Sequence, residues 1–250
     1  MPTETLERYH RDFSNVGGFM MPLAMATWDF LFTAQKSLGV TGGMLEIGVF
    51  EGKSGILSAL YMSADEPSFF LDLYEVAAAR TRILSVKPAN THFLLMKSVN
   101  ALNDDALARM RGALRWVHID GEHTGYATRA DLDTASHLLS ERGIICVDDF
   151  FSFKYPQLTA AVYQFLLARP FEYKMFLASG NKCYICRSSA FEAYDDYIRA
   201  NAAQHMDLEV NNWTLARSSF VHDFGCFSII PRNKERDFVG LDRDIDAQVF

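Results

Sequence analysis

At 250 residues the chain is long enough for one large core with additions at its ends. A hydrophobic content of 49% with 22% charged residues is ordinary for a globular fold, and the net charge of −7 excludes the footprint of a nucleic-acid or anionic-membrane binder. No apolar run reaches the roughly 18 residues needed to span a bilayer, and Phe19–Ala24 lacks the basic segment of a signal peptide, so a cytoplasmic protein is expected.

Residues 1–40 read as an N-terminal helical cap. Gly17-Gly18 breaks an initial polar segment, and Pro22 then opens a helix over Leu23–Leu38 with Leu23, Thr27, Phe30 and Leu31 at helical spacing. That helix serves either as core or interface, or as a lid over the substrate.

From Met44 the pattern alternates strand and helix, which predicts an α/β doubly wound sheet with helices on both faces. Met44–Val49 is the first strand and Lys53–Met62 its helix. Between them lies Glu46-Ile-Gly-Val-Phe-Glu-Gly52, an acid followed by a glycine turn. Glycines let the backbone approach a ligand closely, and the helix start offers unpaired N–H donors. Glu46 and Glu51 would repel a pyrophosphate and welcome a cofactor bearing a cationic amino-acid group. Phe50 stands where a dinucleotide fingerprint has its second glycine.

Ser68–Asp72 is the second strand, Val76–Ser85 a helix and His92–Lys97 the third strand. Asp72 closes its strand where ribose hydroxyls are accepted in nucleoside-binding crossovers, with Glu75 the alternative should the strand run longer. Asp104–Arg111 is helical, Arg115–Asp120 is the fourth strand, Tyr126–Ser140 a helix and Gly143–Val147 a buried fifth strand. Leu158–Ala168 is a helix; Glu172–Ala178 and Lys182–Arg187 form a hairpin across Ser179-Gly180-Asn181. Cys183 and Cys186 sit on opposite faces of that last strand and read as inert thiols rather than metal ligands. Residues 190–210 are helical, and the tail from 213 offers Phe220–Ile230 as a strand or an interface.

Asp120, Asp148 and Asp149 emerge at one sheet edge from adjacent strands. Unpaired, they would raise one another's pKa. A divalent cation with oxygen ligands resolves the conflict; alternatively, one aspartate caps a helix and another pairs with a lysine or arginine.

The turn at residues 44–55 resembles motif I of the class I S-adenosylmethionine-dependent methyltransferases, in the form E-x-G-x-x-x-G-x-S. The segment Val117-His-Ile-Asp-Gly-Glu-His-Thr-Gly-Tyr126, then Asp131-Leu132, then Gly143-Ile-Ile-Cys-Val-Asp-Asp-Phe150, resembles the D-G-x-H-x-Y, D-L and D-D pattern of a branch that includes macrocin-type sugar O-methyltransferases and the cephamycin-biosynthesis methyltransferase-like protein. The resemblance covers about residues 40–190. It implies a Rossmann-like, seven-stranded, mostly parallel sheet ending in one antiparallel hairpin. It also implies S-adenosylmethionine held by Glu46, Gly48, Phe50, Glu51, Gly52, Ser54 and Asp72, with Ser98, Asn100 and Asp120 nearby. Asp120, Asp148 and Asp149 would hold a divalent metal, most naturally Mg²⁺.

His123 is the candidate general base, because histidine titrates near neutral pH and lies three residues past Asp120; a backbone or adenine contact is the plainer role. Phe150, Phe151, Phe153 and Tyr155 replace the polar loop of some relatives and form either a substrate wall or core. The expectation is methyl transfer to a hydroxyl of a small molecule, sugar or natural product. The rivals are a non-catalytic cofactor-binding accessory protein and a dinucleotide oxidoreductase. Residues 41–190 form the catalytic domain, and 191–250 an extension serving as substrate lid or oligomer interface. Phe19, Met20, Met21, Trp28, Trp213, Phe220, Phe224 and Phe227 lie outside the minimal fold and predict a homo-oligomer.

Overall fold

Buried apolar runs bounded by turns build the parallel half of the sheet, as the alternation predicts. A computed structural model describes residues 1–217 and 225–232. The elements in order are α1 (Glu4–Phe13), α2 (Pro22–Ser37), β1 (Gly43–Ile47), α3 (Lys53–Leu60), β2 (Ser68–Asp72), α4 (Ala77–Val86), β3 (Thr91–Leu95), a 3₁₀ turn (Ser98–Asn103) and the short α5 (Asp105–Ala108). Then follow β4 (Leu114–Ile119), α6 (Gly125–Leu138), β5 (Leu139–Val147), α7 (Pro156–Ala168), β6 (Tyr173–Ser179), β7 (Lys182–Arg187), α8 (Phe191–His205), β8 (Trp213–Arg217) and β9 (Phe227–Pro231).

The sheet runs β3-β2-β1-β4-β5-β7-β6-β9-β8. β1 pairs in parallel with both β2 and β4, so the strand order reverses between β1 and β4 and opens a crevice at their carboxyl ends. β7 is antiparallel to β5, and β6 to β7, which gives the expected hairpin. The sheet has nine strands among the described residues where seven were expected. The tail supplies the extra two: β9 pairs in parallel with β6 over Leu177–Ser179, and β8 closes the edge antiparallel to β9. Helix α6 stops at Leu138, two residues earlier than its pattern suggests, because Leu139 already pairs with Leu114 of β4.

Two apolar layers cover the sheet. One contains Leu45, Ile47, Val117, Ile145 and Cys183 with α6 and α7; the other contains Met44, Trp116, Cys146, Tyr184 and Cys186 with α2 and α8. Cys183 and Cys186 therefore do face opposite sides. Helix α2 buries Leu23, Ala24, Met25, Asp29 and Phe30 around its circumference, so it belongs to the core and is no movable lid. The apolar groups counted toward an oligomer split accordingly. Trp28 and Phe227 are buried in their own chain, Trp213 and Met20 are half-buried, and Phe19 and Met21 are exposed. Phe220 and Phe224 lie outside the described residues.

Asp29 ties the helices of this layer together. Its carboxylate accepts bonds from the Thr3 N–H at 3.0 Å, the Thr3 hydroxyl, the Tyr61 hydroxyl at 2.5 Å and His205 Nε2 at 3.0 Å. Burial disfavours its charge, but the His205, Thr3 and Tyr61 bonds outweigh this and hold the carboxyl below its ordinary range. Asp29→Ala is expected to cost about 3 kcal/mol, because four donors lose their acceptor in the interior. The depressed pKa means that this contribution is complete above the unfolded value of about 4 and is lost as pH falls through the folded value. Denaturant titrations of both proteins from neutral pH downward should show the gap closing.

Candidate functional site

The crevice at the switch point is a cleft of about 1600 Å³. That is more than a single small ligand needs, so it has room for a cofactor and a second molecule. Its inner wall is the turn after β1. Gly48 has φ +88°, and a Cβ there would lie 1.9 Å from the carbonyl oxygen of Asp120. Only glycine allows β1 and β4 to finish this close together. Asp72 holds the turn from β2: Oδ2 accepts the N–H groups of Val49 at 2.9 Å and Phe50 at 3.1 Å, while Oδ1 accepts that of Tyr74 at 2.9 Å. The turn thus leads directly into α3, whose cap residue Gly52 also has positive φ.

Of the expected cofactor residues, Gly48, Phe50, Glu51, Ser54, Asp72, Ser98 and Asp120 line the cleft, as does Glu75. Glu46, Gly52 and Asn100 are not among the lining residues. Glu46 is wholly buried behind the wall, its Oε1 accepting the Ser54 hydroxyl at 2.5 Å and its Oε2 left without a partner. Glu46 therefore does not itself line the cleft, whereas its partner Ser54 does. Gly52 is set against Ala79 of α4, which a Cβ would approach to 2.9 Å. The negative charge of Glu51 is taken up by Arg82 at 2.7 Å.

The opposite wall comes from the ends of β4 and β5. His123 Nε2 lies 2.9 Å from Asp149 Oδ2 and 3.7 Å from Asp120 Oδ1. With Nε2 engaged by Asp149, Nδ1 is the ring's acceptor nitrogen. Tyr155 packs against the imidazole with ring centroids 4.3 Å apart, and Gln157 Nε2 donates to the His123 carbonyl at 2.7 Å. Thr124 caps α6 immediately afterwards. Of the four aromatics expected to form a substrate wall, only Tyr155 lines the cleft. Phe150 is core, while Phe151 and Phe153 are exposed away from it.

The three aspartates do not stand unpaired. Lys182, at the start of β7, is 2% exposed and forms a short ion pair with Asp148 Oδ2. Asp148 Oδ1 accepts the N–H of Asp149 at 2.7 Å, and Asp149 Oδ1 accepts Asn181 Nδ2 at 2.8 Å. Behind them, His118 lies between Glu46 (3.5 Å) and Asp148 (3.7 Å) and is fully buried. Burial opposes its cation, but Asp148 and Glu46 prevail and push its pKa up to about 9. Burial likewise works against the Lys182 charge and is outweighed by Asp148, which keeps it an ammonium. Asp148 is held far below the carboxylate range by Lys182 and His118 despite its burial. Asp120 moves the other way: burial, then the charge of Asp148, raise its carboxyl.

A divalent metal held jointly by Asp120, Asp148 and Asp149 does not fit these residues, since Asp148 is already neutralised by the buried Lys182 ammonium, whose charge would face the metal's own. Among the described residues, the ligand atoms that converge form two overlapping groups, His118–Asp120–Asp148 and Asp120–His123–Asp149. The second alternative in the sequence, an aspartate paired with a lysine, is the one the fold adopts. Neither Lys182 nor Asn181 was singled out as a site residue. Their signal was the hairpin turn itself, whose place beside β5 sets them next to the aspartate pair.

The sequence profile of a methyltransferase domain matches residues 45–150. No curated protein sequence matches the chain. Solved structures share the fold. A TDP-rhamnose 3′-O-methyltransferase of calicheamicin biosynthesis is similar at 16% identity and TM-score 0.52, over 74% of this chain and 93% of that one. A mycinamycin-pathway methyltransferase, solved with Mg and SAH, is similar at 14% identity and TM-score 0.55, over 75% of this chain and 55% of that one. A Corynebacterium glutamicum protein is similar at 13% identity and TM-score 0.54, over 75% of this chain and 90% of that one. No helix among the described residues is long and apolar enough to cross a membrane. The glycine turn held by Asp72 and the switch point between β1 and β4 thus lie within a segment, residues 45–150, that matches a methyltransferase domain, on a fold shared with solved methyltransferases.

Proposed function

We propose that the cleft directs a methyl group from S-adenosylmethionine to a hydroxyl of a small molecule, a sugar or natural product, with His123 accepting the proton. The observation that carries this reading is the meeting, in one cleft, of the Gly48–Asp72 turn and the His123–Asp149 pair. The cofactor brings an already electrophilic carbon, so alignment and proton removal are the tasks left to the protein. Gly48 and Ser54 shape the cofactor wall, and Asp72 keeps capacity on Oδ1 for a ribose hydroxyl. Asp149 fixes the ring of His123 and supports its cation once it has taken the proton, in the manner of an orienting carboxylate. The carboxyl of Asp120, raised by burial and by the charge of Asp148, also faces the cleft.

Mg²⁺ assistance, expected from the resemblance, would require Lys182 to leave Asp148, so no step is routed through a metal. Phe19, Met21, Phe50, Tyr74, Tyr126 and Tyr155 line the cleft, which favours an acceptor with an apolar ring or hydrocarbon part. A dinucleotide is disfavoured by Phe50, whose exposed ring stands at φ +49° where the fingerprint needs glycine.

Titration calorimetry with S-adenosylhomocysteine is expected to show one site per chain. Absence of heat and of any thermal shift would remove this reading. Binding without turnover across hydroxylated glycosides and aromatic aglycones would move the chain to the accessory role. Self-association now rests on Phe19 and Met21. Light scattering on the full chain should give more than a monomer mass if they meet a second copy, and a monomer assigns them to the cleft mouth.

A further inference from the structure

The hairpin between β6 and β7 meets the tandem aspartates residue for residue. Asn181 donates to Asp149 at 2.8 Å, and Lys182 forms its ion pair with Asp148. The lysine has no alternative place for its charge. It is 2% exposed, enters from a strand whose next four residues are core, and packs 5.9 Å from the ring of Trp28. Trp28 also lies edge-on to His118 at 4.8 Å, so α2 closes the site from beneath. The backbone of the turn is equally fixed, since a Cβ on Gly180 would lie 2.7 Å from Ala24 N of that helix.

We propose that Lys182 is the built-in cation of this site, its ammonium occupying at Asp148 the place a divalent metal would need, so that methyl transfer proceeds without a metal. Buried carboxylates demand compensating charge. Lys182 and His118 supply it here to Glu46 and Asp148, where a metal would supply it through ligation. Lys182 also lines the cleft. An ammonium carries three donors and Asp148 takes one, so the same group can steady the acceptor oxygen as it loses its proton. The inference rests on the methyl-transfer reading above and deepens it, because it assigns the electrostatic part of the reaction to a residue of this chain.

The test is Mn²⁺ binding followed by electron paramagnetic resonance, with S-adenosylhomocysteine calorimetry on the same preparations. The wild type is expected to leave Mn²⁺ free in solution at micromolar metal and to turn over equally with and without EDTA. Lys182→Met should lose roughly 10²-fold in turnover and gain a bound Mn²⁺ signal that disappears in Lys182→Met/Asp148→Asn. Should the methionine variant fail to fold, Lys182→Arg serves instead and is expected to keep both the fold and the indifference to Mn²⁺. Micromolar Mn²⁺ binding by the wild type, whichever carboxylates hold it, overturns the proposal, as does loss of turnover in EDTA that Mg²⁺ or Mn²⁺ restores. Loss of S-adenosylhomocysteine binding would instead mark failure of the methyl-transfer reading.

Discussion

Gly48→Ala is expected to abolish S-adenosylhomocysteine binding and to destabilise the fold by roughly 3–5 kcal/mol. The methyl group would lie 1.9 Å from a backbone oxygen at the end of β4, and neither strand can retreat without breaking the parallel pairing of Glu46 with His118 and Ile47 with Ile119. Strain from the left-handed backbone adds a smaller amount. Gly112→Ala separates the two effects: its φ is +64° and nothing lies within 4 Å of the added carbon, so it should cost only about 1–2 kcal/mol and leave binding intact. Chemical denaturation gives the stabilities and calorimetry the affinity. Wild-type affinity in Gly48→Ala would mean that the cofactor wall lies elsewhere.

His123→Ala is expected to lower kcat by roughly 10²–10⁴-fold while leaving the affinity for S-adenosylhomocysteine close to that of the wild type. The asymmetry follows from position. His123 stands on the β4–α6 connection, across the cleft from the Gly48 turn, and touches Asp149 and Tyr155. Asp149→Asn keeps the shape of the pair but removes the charge that steadies a protonated ring, so its loss should be smaller than that of His123→Ala. Single-turnover kinetics at saturating cofactor separate the chemical step from binding. An unchanged kcat in His123→Ala would pass the proton to another group, Asp149 being the nearest carboxylate.

The parallel half of the fold was legible because buried parallel strands read as short unbroken apolar runs, such as Gly143–Val147. The edge was not. β8 ends at Arg217 and β9 begins at Phe227, too far apart in sequence for a hairpin signal, and β9 pairs with β6 over three residues only. Helix α2 shows helical spacing on one side, yet apolar groups also occupy its other sides, so the sequence left open whether it was lid or core. Within the site, the glycine turn and Asp72 were visible as local patterns. Glu46 lies behind the cleft wall because the end of a strand has two faces, and this side chain takes the one toward α3. The aspartates were counted without Lys182, since charge neutralisation across 34 positions depends on the β5–β7 pairing and leaves no local trace. The lysine was in view only as the residue before Cys183.

All four cysteines, Cys146, Cys183, Cys186 and Cys226, are buried and reduced. Burial pushes each thiol upward, Cys226 to about 12 and the other three further, so the reactive thiolate is almost absent. Cys183 and Cys186, on opposite faces of β7, cannot bridge to one another. Thiol oxidation is consequently no control on this cleft. Oxidants and alkylating agents reach these four sulfurs only after the sheet itself has come apart, which makes the thiols recorders of unfolding.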